Sequence, residues 1–206
     1  MVTHISHPIA QVAITALRDK SSGVLNFRAN MKRLAQFVAT EATKNLATTS
    51  VPVETPLAWT SGVKLSKPVV LMPILRAGLG MVEALLELVP EASVGHVGLC
   101  RNEHTFEPET YYFKAPNLAE VTVLILDPML ATGNSAIDAI NKIKDAGAKD
   151  ITMLSIIAST DGLQRVQKAH PDVHIIVGTV DPALNAHAYI VPGLGDAGDR
   201  YFGTTQ

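Results

Sequence analysis

The sequence predicts an α/β fold with an open, mainly parallel β-sheet and helices on both faces. Residues 69–75, 121–126 and 151–158 are mostly apolar and show no strict alternation of polar and apolar side chains. Strands with this pattern are buried on both faces, as in parallel sheets. Helical and strand patterns alternate throughout 69–180, which is typical of a sheet built from β–α–β units.

The N-terminal third is predicted to contribute helices and a loop. Residues 8–20 and 24–47 are helical candidates, and the second has apolar residues at helical spacing, which indicates core packing or subunit contact. These apolar residues are Phe27, Met31, Leu34, Val38, Ala42 and Leu46. Residues 48–67, a proline-containing stretch around Trp59, are predicted to be a loop with no more than a short strand.

The other elements alternate along the chain. They are predicted to be a turn at 76–80, a helix at 81–89, a strand at 93–100, a hairpin at 101–114 and helices at 136–147 and 163–169, followed by a strand at 174–180. Pro73 interrupts the strand at 69–75 near its end. The hairpin is predicted to turn at 107–109, just before three consecutive aromatic residues, and such a hairpin often serves as an edge or a dimer contact.

Composition limits the function classes. With 206 residues, one domain is expected, and a hydrophobic content of 47% is enough for a core. No apolar stretch approaches the length of a membrane span, so no membrane partner is expected. The N-terminus lacks the basic and apolar regions of a signal peptide, so we expect a cytoplasmic protein.

Charge and metal-binding residue types exclude further classes. Cys100 is the only cysteine, which rules out an internal disulfide and a multi-cysteine zinc site. The 17 Lys and Arg against 19 Asp and Glu do not indicate a surface for nucleic acid. His170 and His174 have the spacing of a helical metal pair, but Pro171 would break that helix. We therefore assign no residue to metal.

The strand at 121–126 leads into a candidate anion site. Asp127 and Pro128 follow it, then a small polar run at 131–135, then the helix at 136–147. Loop N–H groups and the dipole of a helix N-terminus attract anions, and open α/β sheets bind ligands at the carboxyl ends of their strands. Local chemistry alone leaves phosphate binding and a plain structural role about even. Asp127 favours function, because packing gives no reason for an acid there.

Two details of this unit are testable in a structure. Ser135 and Asp138 have capping-box spacing, and Gly147 stands where a helix C′ residue belongs. The unit is not a P-loop, because no Gly-Lys-Ser/Thr follows its glycine.

The C-terminal tail contains a misleading motif. Gly193, Gly195 and Gly198 fit the dinucleotide fingerprint, which must open a helix inside a β–α–β unit and precede an acid about 20 residues later. Only eight residues follow Gly198, so a dinucleotide site is excluded. What remains is a glycine-rich loop whose backbone N–H and C=O groups are accessible.

Four blocks together resemble the type I phosphoribosyltransferases, and their uracil phosphoribosyltransferase branch in particular. They are ILRAGLG at 74–80, GLCRNE at 98–103, DPMLATG at 127–133 and PGLGDAGDR at 192–200. The resemblance implies transfer of the phosphoribosyl group of phosphoribosyl pyrophosphate to uracil, giving UMP and diphosphate, with Mg²⁺ bound mainly through the substrate's diphosphate. It implies one domain over 1–206, with a flexible arm at about 101–114 and a base-binding loop at about 189–204.

The resemblance also implies site residues. For phosphoribosyl pyrophosphate they are Arg76, Arg101, Asp127, Pro128, Met129, Leu130, Ala131, Thr132, Gly133, Asn134, Ser135 and Asp196, and for uracil Ile190, Gly195, Asp196 and Ala197. The 5′-phosphate belongs to 131–135, the ribose hydroxyls to Asp127, and the diphosphate to Arg76 and Arg101. Asp127 and Arg101 are the candidate catalytic residues. Whether Asp127 acts as a base stays open, because Pro128 replaces the second acid of many relatives.

Asn134 departs from the family, whose loop reads Thr-Gly-Gly-Ser. Two glycines suggest a positive φ, and asparagine tolerates that conformation best among other residues. We therefore expect Asn134 to have a positive φ and a side chain directed away from the phosphate.

Base choice follows from backbone chemistry. Uracil offers two carbonyl acceptors and an N–H donor, which exposed backbone can match, whereas cytosine would leave buried groups unpaired.

Two alternative functions remain: an RNA-binding regulator like the pyrimidine attenuation proteins, and a purine-directed transferase. The acidic balance disfavours the first and the tail disfavours both. GTP is a candidate effector, and a homodimer or higher homo-oligomer is expected.

Overall fold

The computed structural model describes residues 1–101 and 108–204, with backbone alone for 100–101 and 108–109. The helices are α1 (Pro8–Arg18), α2 (Val24–Thr43), α3 (Leu79–Leu88), α4 (Asn134–Asp145), α5 (Thr160–Ala169) and α6 (Ala197–Phe202). The strands are β1 (Val2–His4), β2 (Thr48–Glu54), β3 (Trp59–Leu65), β4 (Val69–Leu75), β5 (Ser93–Val94), β6 (His96–Arg101), β7 (Pro108–Lys114), β8 (Thr122–Leu126), β9 (Met129–Leu130), β10 (Asp150–Ser159), β11 (His174–Asp181), β12 (Ala183–Leu184) and β13 (Ile190–Val191).

The main sheet has the strand order β1-β11-β10-β8-β4-β6-β7. Its neighbouring strands are parallel except β6 and β7, which are antiparallel at one edge. Two short strands extend it, because β5 pairs with β4 and β9 with β10. The predicted open, mainly parallel sheet is confirmed.

Helices cover both faces of this sheet, as predicted. Alternate residues of the central strands, such as Leu71 and Leu124, pack with α1, α2 and α3. Their neighbours, such as Val70 and Val123, pack with α4 and α5 on the other face. Successive side chains of a strand point to opposite faces, so a sheet covered on both sides needs continuous apolar strands.

The prediction of a loop at 48–67 is wrong. β2 and β3 form an antiparallel hairpin in which Thr48 pairs with Leu65 and Glu54 with Trp59. The hairpin packs on little else, so its exposed serines and threonines lack the apolar pattern by which strands are recognised. Pro52 is tolerated because each strand of a two-stranded ribbon has a free edge.

Several boundaries also differ from prediction. β1 was not predicted and joins the sheet beside β11. The turn predicted at 107–109 is wrong for Pro108 and Glu109, which lie in β7 opposite Arg101 and Cys100, and Glu107 lies outside the described residues. The tail, predicted as a loop, contains the short helix α6, whose C-cap residue is Gly203. Within the described ranges, no helix is long and apolar enough to cross a membrane.

Candidate active site

The direction of chain progression reverses between β4 and β8. β4 leads to β6 on one side of the sheet, and β8 leads through α4 to β10 on the other. Open α/β sheets bind ligands at such a switch point, outside the carboxyl ends of the strands. A cavity of about 370 Å³ lies there, lined by Ala77 after β4, by Asp127 after β8 and by parts of 129–136 and 187–198.

Most of the predicted site residues meet in this cavity. The predicted residues that line it are Asp127, Met129, Leu130, Ala131, Thr132, Gly133, Ser135, Ile190, Gly195, Asp196 and Ala197. Arg76, Pro128 and Asn134 do not line it. The Arg101 backbone ends β6, and its side chain lies outside the described part of the chain. Six further residues line the cavity without having been predicted as site residues, namely Ala77, Ala136, His187, Ala188, Tyr189 and Gly198. The last two lie within the predicted base-binding loop at about 189–204.

Asp127 and Pro128 form a step between two strands. β8 ends at Leu126, and the chain rejoins the sheet as β9, which pairs with β10. The Pro128 carbonyl accepts hydrogen bonds from the backbone N–H groups of Ile156 and Ile157, at 3.2 and 3.0 Å. This step holds the Asp127 side chain at the floor of the cavity.

Asp127 is a buried acid with few partners. Its Oδ1 accepts a hydrogen bond from Met129 N at 3.2 Å. Burial raises the pKa of Asp127 to about 7, against the opposing effect of that hydrogen bond. A carboxyl group that titrates near neutrality inside a cavity is a candidate for a functional role.

The N-terminus of α4 opens into the same cavity. The helix begins at Asn134, and its N-cap residue Gly133 makes no side-chain cap hydrogen bond. The predicted capping box is therefore wrong, because Ser135 already lies inside the helix. The other end agrees with prediction, since Gly147 has a φ of 98° after the C-cap residue. An N-terminus without acidic residues in its first turn is suited to an anion.

The expected positive φ of Asn134 is wrong. Gly133, with a φ of 84°, takes the left-handed conformation, and Asn134 is the first residue of the helix. The Asn134 side chain accepts a hydrogen bond from Arg165 of α5 at 3.5 Å, and Asn134 is not among the residues that line the cavity. One glycine is enough to turn the chain here, so a second is not required.

The start of α5 supports the loop that leads from β9 to α4. Ser159 Oγ donates to the Ala131 carbonyl at 2.6 Å and accepts from Gly162 N at 2.8 Å. A Cβ on Gly162 would lie less than 3.0 Å from the carbonyl oxygens of Ala131 and Leu130. The backbone of the loop thus rests directly on the backbone of α5.

The opposite wall of the cavity is irregular. The β12–β13 hairpin ends in a turn where Asn185 Oδ1 accepts from the N–H groups of His187 and Tyr189, at 2.9 and 3.0 Å. Within the described ranges, Ala188 is the only non-glycine residue with a positive φ, 63°. Asp196 follows as the N-cap of α6 and accepts from Asp199 N at 2.8 Å.

Arg76 lies beside the cavity and is held by α6. Its Nη2 donates to Asp199 Oδ1 at 2.9 Å, and its guanidinium lies 5.7 Å from the centre of the Phe202 ring. Hydrogen bonds from Thr204 and Arg76 hold the pKa of Asp199 below its usual range. The side chain of Arg76 is 57% exposed, so it can be approached by a ligand.

Comparison with known proteins places the chain in a family. The family model described as uracil phosphoribosyltransferase matches residues 4–204. A uracil phosphoribosyltransferase from Clostridium perfringens is 49% identical over 205 residues, which is 98% of each chain. A solved protein structure from Aquifex aeolicus has a TM-score of 0.95 and 36% identity, covering 100% of this chain and 99% of that one.

More distant structures share the fold alone. A hypoxanthine phosphoribosyltransferase from Trypanosoma cruzi has a TM-score of 0.53 and 12% identity, covering 76% of this chain and 75% of that one. These distant structures show that the chain has the phosphoribosyltransferase fold. The matches over nearly the full length of the chain point to one family within that fold. This chain belongs to the uracil phosphoribosyltransferase family.

Proposed function

We propose that this chain transfers the phosphoribosyl group of phosphoribosyl pyrophosphate to uracil, giving UMP and diphosphate. One observation carries the proposal. A single cavity combines a helix N-terminus suited to a phosphate, the buried carboxyl group of Asp127 and the accessible backbone of Gly195–Gly198. A ligand with a phosphate at one end and a flat base at the other matches that order of features.

In the proposed reaction, the bond between C1′ and the diphosphate oxygen breaks and a bond between C1′ and uracil N1 forms. The N1 proton is released to water, and diphosphate takes the electron pair of the broken bond. Positive charge develops on the ribose as in an oxocarbenium ion. Catalysis would then come from positioning the two substrates and from stabilising charge on the leaving diphosphate.

We assign the 5′-phosphate to Ala131–Ser135 and the ribose hydroxyls to Asp127. The backbone N–H groups at the start of α4 would donate to phosphate oxygens, with the helix dipole adding to their attraction. Ionised Asp127 would accept hydrogen bonds from both hydroxyls. Asp196, on the facing wall, would lie on the phosphoribosyl side of the base.

Uracil is assigned to Ile190, Gly195 and Ala197. Ile190 is buried at the cavity wall and would pack against the base, while the two loop residues would present backbone groups to its polar edge. Gly195 has a φ of 78°, which orients its peptide groups in a way that other residues rarely allow.

The diphosphate is assigned to Arg76 and Arg101. Arg76 directly precedes Ala77 of the cavity lining, so a modest side-chain movement would bring it to a diphosphate.

Replacing Arg101 with alanine should lower kcat/KM, because the activation free energy should rise by about 3 kcal/mol. The loss of other preorganised charge-stabilising donors has an effect of this size. Steady-state kinetics with circular dichroism as a folding check measures this, and an unchanged kcat/KM would remove Arg101 from the site.

Mg²⁺ is proposed to arrive with the substrate. In the described part of the chain, no group of three or more His, Cys, Asp or Glu side chains could hold a metal ion. Diphosphate oxygens and water would hold the Mg²⁺, an ion that readily retains several of its waters. When bound, Mg²⁺ would supply charge stabilisation to the leaving group.

We also propose a homodimer or larger homo-oligomer. The β2–β3 hairpin exposes 67% of Trp59 and 70% of Val63, and Leu57 at its tip is 97% exposed. Isolated hairpins are marginally stable, so a second copy covering this surface would explain its apolar residues. In analytical ultracentrifugation, the Trp59→Ser variant should sediment as a smaller species than the parent chain.

We also propose activation by GTP, from family membership alone. Adding GTP to the assay tests it.

The decisive experiment is a base panel with phosphoribosyl pyrophosphate, with and without Mg²⁺, scored by diphosphate release. Uracil should react, and cytosine, hypoxanthine and adenine should be slower by about 10⁴-fold, as sites that pair every polar group discriminate. Comparable kcat/KM values for uracil and cytosine would contradict backbone recognition of the base.

A further inference from the structure

The segment that follows β13 is held by a partly buried ion pair outside the cavity. Arg18, the last residue of α1, donates from both terminal nitrogens to Asp181 at the end of β11, at 2.6 and 2.5 Å. The same guanidinium donates to the Gly193 carbonyl at 2.9 Å, and Asp181 accepts from Gly193 N at 2.7 Å. The two side chains thus hold both polar groups of one glycine.

A second arginine joins the same two regions, but it belongs to α6 and contacts the end of α1. Arg200 of α6 donates to the carbonyl of Leu194 at 2.6 Å and to that of Asp19, after α1, at 2.6 Å. It also donates to the Leu17 carbonyl, and its guanidinium lies 4.4 Å from the centre of the buried Phe27 ring. The end of α1 and the segment 193–200 are therefore joined by an arginine from each side.

The segment needs such support because it has little regular structure of its own. Residues 192–196 connect β13 to α6 without a helix or strand. Gly193 has a φ of 62°, and a Cβ there would lie less than 3.0 Å from the Ile190 carbonyl. The chain therefore passes Gly193 in one tight conformation, and Gly195 to Ala197 follow directly from it into the cavity.

We propose that Arg18 and Asp181 are positioning residues that set base affinity and base choice by holding Gly193. This inference rests on the proposed function, since it concerns the residues assigned to uracil. Recognition by backbone groups requires the backbone itself to be immobile, because each hydrogen bond weakens steeply as its geometry departs from ideal. Neither side chain lines the cavity, so they would act through the loop alone.

Burial makes the pair suited to this task. Asp181 is 4% exposed, so its carboxylate depends on protein partners rather than on water, and removing a partner leaves a buried charge uncompensated. Burial opposes ionisation, but hydrogen bonds from Arg18 and Gly193 keep the pKa of Asp181 below its usual value. The carboxylate therefore stays charged and keeps both of its partners through the neutral pH range.

The test compares Arg18→Met, Arg18→Lys and a control, Lys144→Met. Lys144 forms an ion pair with Asp172 at 2.7 Å, its side chain is 31% exposed against 26% for Arg18, and it does not line the cavity. Arg18→Met should raise KM for uracil by about tenfold or more, the effect of one lost charge-assisted hydrogen bond. KM for phosphoribosyl pyrophosphate should stay within about twofold, and the preference for uracil over cytosine should fall.

The other variants make the outcome decisive. Arg18→Lys keeps the charge without the forked geometry, so it should recover part of the uracil affinity. Lys144→Met should change thermal stability without changing either KM. Equal increases in both KM values for Arg18→Met, or none, would overturn the proposal.

Hydrogen exchange gives a readout independent of activity. Amides of residues 193–198 should exchange faster in Arg18→Met, or in Arg18→Lys if the first variant does not fold, than in the parent chain. Unchanged exchange would overturn the positioning role. If the parent chain releases no diphosphate with uracil but the exchange effect is present, the proposed function fails. The role of Arg18 in holding the segment 193–198 would still stand.

Discussion

The two walls of the cavity are built in different ways. The wall at 127–135 consists of a strand end, a short loop and a helix N-terminus, and its close contacts are between backbones. The wall at 187–198 has little regular structure and is held by side chains, namely Arg18 of α1, Asp181 of β11 and Arg200 of the adjoining α6. A phosphate needs several N–H groups and a positive dipole, which a helix N-terminus supplies. A planar base with a mixed donor and acceptor edge needs a particular arrangement of peptide groups, which regular structure does not supply.

The largest effect is expected where the first wall rests on α5. In Gly162→Ala the new Cβ would lie less than 3.0 Å from the Ala131 carbonyl, so the loop must move. Displacement by about 1 Å can lower rates by about 100-fold, and we expect that loss in kcat/KM for phosphoribosyl pyrophosphate. Gly23→Ala is the matched control, because a Cβ on Gly23 meets nothing within 4 Å. Equal kinetics of the two variants would show that the loop does not depend on α5.

The next effect concerns the acid between the two walls. Burial raises the pKa of Asp127 to about 7, so the carboxylate, which we propose accepts hydrogen bonds from the ribose hydroxyls, becomes populated as the pH rises through that value. We expect kcat/KM for phosphoribosyl pyrophosphate to rise up to about pH 7 and then level off. Asp127→Asn should be at least about tenfold slower and lack that rise, since hydrogen bonds to a charged group are the stronger ones. A pH profile of both proteins measures this, and an identical profile in the variant would exclude Asp127 as its source.

Stability should change with pH in the opposite sense. A folded-state pKa above the unfolded value favours folding below pH 3.8, and this contribution is lost as the pH rises through about 7. Asp127→Asn cannot lose a proton, so its melting temperature should gain on that of the parent chain between pH 5 and pH 8. Parallel melting temperatures across this range would contradict the raised pKa.

A third test separates two adjacent residues of the first wall. Gly133 has a φ of 84° and Asn134 is helical, so only Gly133→Ala should incur the left-handed penalty. That penalty of about 1–2 kcal/mol corresponds to about 5- to 30-fold in KM for phosphoribosyl pyrophosphate. Asn134→Val should stay within about twofold, because valine and asparagine have similar helix propensity. The reverse order of the two KM values would place the strained conformation at 134 after all.

The smallest effect is expected in the wall at 187–198, where one substitution should make the protein more stable. Ala188 has a φ of 63°, and glycine adopts that conformation without strain. After the greater flexibility of the unfolded chain is subtracted, Ala188→Gly should stabilise by about 0.5–1 kcal/mol. That is about 1–4 °C in melting temperature for a chain of this length. Ala186→Gly in the same turn is the control and should lower it, so two equal shifts would contradict the argument from φ.

Sequence reasoning recovered much of the cavity because its residues lie in short contiguous motifs. Eleven residues that the family resemblance implied line it, and the strand, polar loop and helix around seven of them can also be recognised locally. Asn134 shows the limit of this approach: a family pattern suggested a positive φ, but the turn was already completed by Gly133. Ala188 could not be found by type, because alanine does not indicate the conformation that the Asn185 turn imposes on it.

The sequence by itself predicted the mainly parallel sheet, the alternation of strands and helices between residues 69 and 180, and most of the residues that line the cavity. Periodicity and composition report which faces of an element are buried, and that information is local. Only the tertiary structure decided that β2 and β3 pair, that α6 forms in the tail, and that Arg18 meets Asp181 and Gly193 across more than 160 positions of the chain. Such contacts join residues with no common local pattern, so they become visible only when packing of the sheet and helices brings them together.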